Sequence, residues 1–149
     1  MKLAKTLKIV LYSLTGFFIL SFIASPISAY IAYGGIQSSE FKTSLLFTVI
    51  NGVSGVLICY HGATVLKSFE SISFENMSNS LQQIGYTLLS ACLLHNIINY
   101  FTTPVKDAAY WIPTLGNSII IMILGFFLLA ISQIIQKAEY YKTQNDLTI

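Results

Sequence analysis

The chain has no arginine and little charge of either sign: its eight basic residues are all lysine, six residues are acidic, and charged residues make up 9% of the 149. Ordinary soluble domains carry about 25%. Without arginine there is no bidentate grip on phosphate, and a formal net charge of +2 is too small to build a basic face, so direct binding of DNA or RNA is not expected. Histidine and cysteine are limited to two each. Cys59 and Cys92 form no Cys-x-x-Cys pair, so a structural disulfide is not expected and each reads as a small apolar residue. A Gly-rich phosphate loop, a His-Glu-x-x-His helix and a paired-carboxylate motif are all missing, which removes the usual sequence signs of a hydrolase or transferase. The expectation is a protein that is not an enzyme and needs no cofactor.

Hydrophobic residues, by contrast, make up 54%. They gather in four runs, at about 7–33, 45–66, 81–102 and 115–135, each long enough for a bilayer crossing of about 20 residues. The predicted fold is all-α, a four-helix transmembrane bundle in a single domain. A cytoplasmic linker at 67–80 and a cytoplasmic tail at 136–149 complete it. The first run has the lysine-rich start of a secretory signal. However, cleavage after Ala29 or Ala24 would put Ile27 or Phe22 at the minus-three position, where a small residue is wanted, so an uncleaved helix is expected. Pro26 is expected to kink or end that helix.

The lysines set the orientation. With a cytoplasmic N-terminus, Lys2, Lys5, Lys8, Lys67, Lys137 and Lys142 lie inside, and only Lys42 and Lys106 lie outside. Both termini are therefore expected in the cytoplasm. The outer loops are short, and the second carries the interfacial aromatic pair Tyr110 and Trp111. In the linker, Phe69, Ile72, Phe74 and Met77 fit either a short amphipathic helix on the membrane surface or a solvated loop. Ser80 followed by Gln83 fits a capping box at the start of the third helix, and Ser73 offers an earlier start. Asn76-Met77-Ser78 matches the glycosylation triplet but falls on the predicted cytoplasmic side, where it has no consequence.

Phe74, Asn76, Leu81, Ile84 and Gly85, leading into the third run, and the closing Asp146-Leu147-Thr148-Ile149 resemble a family of small bacterial four-span membrane proteins, domain of unknown function 2975. Arginines are usual in that family just before the Ile-Gly, where this chain has Gln82 and Gln83. An acidic residue is common before the terminal motif, where this chain has Gln144 and Asn145. The resemblance implies an inner-membrane protein, often encoded beside a small helix-turn-helix regulator. Such a regulator would be a natural cytoplasmic partner, and Tyr141, Asp146, Leu147 and Ile149 of the tail are the candidate contact.

The polar residues inside the runs are patterned. Gly85, Cys92, Asn96 and Asn99 follow at intervals of seven, four and three, which places them on one face of the third helix with His95 beside them. Gly55, Cys59 and Ala63 form a small-residue stripe on the second helix, with Asn51 one turn earlier. Gly125, Ser132 and Gln136 form another on the fourth. Two roles fit. The polar groups serve as interhelical hydrogen-bond glue, or Asn51, His95, Asn96 and Asn99 form an intramembrane polar site for a small molecule. A bis-histidine haem or metal site at His61 and His95 is the sharpest cofactor reading, but the two lie about 13 Å apart in depth, too far for one metal. The functional expectation is an interaction or regulatory protein, with a small-molecule sensor or carrier as the alternative. Transport through so few helices would call for a homo-oligomer.

Overall fold

A computed structural model describes residues 2–33, 36–71, 73–102 and 108–146. Four long helices account for nearly all of them: α1 (Lys2–Tyr33), α2 (Ser39–Ser71), α3 (Phe74–Thr102) and α4 (Ala108–Asp146). At 32, 33, 29 and 39 residues they run about 48, 50, 44 and 58 Å, longer than a hydrocarbon core of about 30 Å. Three of them, α1, α2 and α4, are long and apolar enough to cross a membrane. The apolar stretch of α3 is interrupted by His95, Asn96 and Asn99, and α3 is not among the three. Large side chains such as Phe17, Leu20, Ile31, Phe126, Phe127 and Ile134 are exposed along the helices, as suits a lipid-facing surface.

Local chemistry sets the helix boundaries. At the start of α2, the Ser38 hydroxyl accepts a hydrogen bond from the Phe41 amide at 3.1 Å, and Glu40 places a carboxylate in the first turn. The linker is almost entirely helical. α2 continues to Ser71, and α3 starts at Phe74 rather than at Ser80, so the earlier of the two predicted starts is the one used. Ser73 stands between the helices: its amide donates to the Ser68 carbonyl at 2.9 Å, its carbonyl accepts from the Met77 amide at 3.2 Å, and its hydroxyl accepts from Asn76 Nδ2 at 3.0 Å. Ser80, the other candidate cap, is buried inside α3. No separate surface helix forms in the linker among the described residues, and Ile72 lies outside them. Pro26 sits within α1 without ending it. Its ring costs one backbone hydrogen bond, and the flanking apolar run continues the helix past it.

The small-residue stripes position the helices. Between α3 and α4 the facing residues repeat every seven: Ser78, Gly85 and Cys92 meet Ser132, Gly125 and Ser118 in antiparallel order. Ser78 and Ser132 are the most buried side chains among the described residues, at 0% and 1% exposure, and Ser78 Oγ donates to the Ser132 carbonyl at 2.9 Å. At the middle step the backbones nearly touch: a Cβ on Gly85 would come within 3.0 Å of the Gly125 carbonyl oxygen and 2.9 Å of Leu129 Cγ. In lipid such close packing replaces the hydrophobic effect as the force between helices. α1 and α2 also pack antiparallel, with Phe18 against Gly55, Phe22 against Gly52, and the hydroxyls of Ser25 and Thr48 hydrogen-bonded at 2.6 Å. At the opposite end, Lys8 of α1 pairs with Glu70 of α2.

Among the described residues, helix backbones approach one another only in consecutive pairs. Among the described residues, no Cα of α1 comes within 8 Å of one in α3 or α4, and none of α2 does so with α4. The bundle is therefore open. α3 forms the floor of a channel whose walls are α2 and α4, and that gap holds the candidate site.

Candidate functional site

Two connected clefts occupy the half of the molecule that carries the α1–α2 and α3–α4 connections. The larger is a groove of about 860 Å³, within the range of small-molecule sites. Phe47, Asn51, Ser54 and Ile58 of α2 line one wall, Thr114, Asn117, Ser118 and Ile121 of α4 the other, and Leu88, Ala91, Cys92, His95 and Asn99 of α3 the floor. Phe18 of α1, lodged over Gly55, closes one flank. No charged side chain lines this groove among the described residues. The second cleft, of about 810 Å³, lies nearer the helix ends and shares Phe47, Asn51 and Asn99 with the first. It adds Tyr33, Glu40, Phe101 and several hydroxyls.

The structure divides the predicted polar residues into two groups. Asn96 is glue: its Nδ2 donates to the Cys92 carbonyl at 2.9 Å, and its Oδ1 accepts from Ser118 Oγ on α4 at 3.0 Å. It does not line the groove. Cys92, directed at the Ser118 carbonyl at 3.4 Å, belongs to the same α3–α4 seam. Asn51, His95 and Asn99 do line the groove, and none of the three has a hydrogen-bond partner among the described residues. Asn99 is the most telling, since it is 8% exposed and borders both clefts. His95 lies on α3 one residue from Asn96 and so points away from the α4 seam, toward α2. Its ring rests on Phe47, with centroids 4.4 Å apart. The buried stripe of α2 is as expected at Gly55, Cys59 and Ala63. Asn51 is exposed and faces the groove rather than that stripe.

Sequence reasoning missed the α4 wall. Thr114, Asn117, Ser118 and Ile121 share one helical face at spacings of three, one and three, the signal that could have found them. Asn117, like Asn51, has no hydrogen-bond partner among the described residues. On α4 the seam runs through Ser118, Gly125 and Ser132, and the predicted third member, Gln136, is exposed instead. Of the candidate partner contact, Tyr141 is 62% exposed and Asp146 ends α4, whereas Leu147 and Ile149 lie outside the described residues.

The bis-histidine arrangement does not form. Phe47 is the α2 residue level with His95, and His61 lies about four turns, roughly 21 Å, further along the helix. His61 packs instead against its neighbour Tyr60, with centroids 5.3 Å apart. No group of three or more His, Cys, Asp or Glu side chains converges among the described residues. What the groove offers chemically is hydrogen bonding by neutral carboxamides, one imidazole and hydroxyls, between apolar walls. Comparison with protein-family models, with curated proteins and with solved structures finds no match to the chain.

Proposed function

We propose that this is a four-span integral membrane protein, both termini in the cytoplasm, that binds an amphipathic small molecule in the groove between α2 and α4 and acts as a sensor or carrier for it. One observation carries the reading. Asn51, His95, Asn99 and Asn117 come from three helices, turn toward one cleft and leave their hydrogen-bonding groups without a partner among the described residues. Amide groups kept within membrane-spanning helices at a cost of a few kcal/mol are explained by a ligand or by water held there for it. If α3 spans the membrane as its partners do, its polar side chains reach α4 or the cleft rather than lipid, which is the arrangement such a helix needs.

Native mass spectrometry of the protein released from mild detergent tests this. A bound small molecule is expected as an added mass, and Asn99→Leu is expected to abolish it while leaving the melting temperature within a few degrees, since among the described residues Asn99 has no hydrogen-bond partner to lose. An unliganded protein at every detergent concentration, with Asn99→Leu more stable than the parent, would make the polar floor a packing feature only.

A second reading, an interaction protein tethering a helix-turn-helix regulator of the kind the resemblance implies, is favoured by the length of α4. It continues beyond the apolar run to Asp146 and exposes Tyr140 and Tyr141, with Lys142 over the ring of Phe74 at 5.8 Å. Removing residues 137 to 149 is expected to abolish capture of such a partner in a pull-down. An unchanged set of captured proteins would end this reading.

A further inference from the structure

The cleft nearer the helix ends differs in chemistry from the groove, and the difference specifies a ligand class. Among the described residues lining the two clefts, Glu40 is the only one with a formal charge. The cleft that holds Glu40 is also lined by three aromatic residues, Tyr33, Phe47 and Phe101, one each from α1, α2 and α3. Two of the hydroxyls that line it are left as acceptors. Thr43 donates its proton to the Ser39 carbonyl at 2.9 Å and Thr102 donates to the Ile98 carbonyl at 2.7 Å, which leaves their oxygen lone pairs for the cleft. A carboxylate, aromatic rings and hydroxyl oxygens in one cleft together suit a cation with an apolar surface. An anion would be the alternative at a helix N-terminus, but Ser38 already caps the Phe41 amide, and Glu40 puts negative charge in that first turn. Lys42 is exposed on the same turn and does not line the cleft, and Lys106 and Asp107 lie outside the described residues.

We propose that the ligand is an amphiphile bearing an organic ammonium: its cationic head sits in the outer cleft against Glu40 and the aromatic rings, and its apolar body runs past Asn99 into the α2–α4 groove. This rests on the groove reading and deepens it. Asn99, more than nine-tenths buried, bordering both clefts and unpartnered among the described residues, stands at the passage between them, where a polar group next to the ammonium would meet it. The same head could belong to a free alkylamine or to an amine-bearing phospholipid.

The full chain, reconstituted in nanodiscs of phosphatidylglycerol, is titrated with radiolabelled decyltrimethylammonium and, separately, with decanol of the same chain length. The ammonium is expected to bind saturably, and Glu40→Gln and Phe101→Leu, at residues that line only the outer cleft, are each expected to weaken it by about tenfold while leaving decanol binding unchanged. A merely structural role for Glu40 in the first turn of α2 would not separate the two probes. Replacing the disc lipid by phosphatidylethanolamine distinguishes the sources: competition supports a phospholipid head and no competition supports a free amine, either being consistent with the ammonium site. Equal binding of the two probes, with Glu40→Gln silent on both, overturns the ammonium proposal and leaves the groove standing. Saturable binding of neither overturns both.

Discussion

Among residues of similar type, position in the seam decides role. Asn96 and Asn99 are three apart on α3, yet Asn96 is spent on Cys92 and Ser118 while Asn99 faces the clefts with its amide free of protein partners among the described residues. The difference follows from the seven-residue repeat. Ser78, Gly85, Cys92 and Asn99 continue one seam, but the direct α3–α4 contacts at Ser78, Gly85 and Cys92 give way to a cleft by the level of Asn99. Gly85 is the most constrained of the series, because its Cβ would press on the backbone oxygen of Gly125 as well as on Leu129. Gly85→Ala is expected to push α4 away and lower stability by about 1–3 kcal/mol, read as a drop in the detergent melting temperature. Gly16, which has nothing within 4 Å of an added Cβ, is the matching control and should tolerate alanine.

At the scale of the element, α3 is the helix whose membrane placement matters most. It is the least apolar, it forms the floor of the groove, and it packs on both α2 and α4. A spanning α3 puts Glu75 and Thr102 on opposite sides of the membrane, with Gln37 on the side of Thr102. Single cysteines at these three exposed positions, in a chain whose native Cys59 and Cys92 are both buried, report this directly. A membrane-impermeant maleimide added outside intact cells is expected to label Gln37→Cys and Thr102→Cys and to spare Glu75→Cys. Labelling of Glu75→Cys and Thr102→Cys from the same side would place α3 on the membrane surface.

For the whole molecule, the open row of helices is what leaves room for the candidate site. In a closed bundle the first and last helices would also meet, and the core would be packed. Here α1 is held to α2 by Phe18 and Phe22 over glycines and by the Lys8–Glu70 pair, while α4 is held to α3 by its small-residue seam. Among the described residues, no Cα of α4 comes within 8 Å of one in α1 or α2. The groove between α2 and α4 is not closed over by another helix backbone among the described residues, so the proposed ligand with an apolar body would enter sideways from lipid.

Composition and periodicity by themselves determined the all-α class, the approximate limits of the apolar helices, and the small-residue stripe of α2, because these depend on local hydropathy and on residue size along one face. The polar face of α3 was legible for the same reason. The earlier start of α3 at Phe74 was open in the sequence, since Ser73 and Ser80 offered comparable caps. Packing settled it by burying Ser78 and Ser80 within the helix. Only the tertiary structure decided which polar residues are glue and which face a cleft, because that depends on where α4 lies against α3. It also decided that Thr114, Asn117 and Glu40 join Asn51, His95 and Asn99, since residues far apart in sequence come together only when the helices take their places.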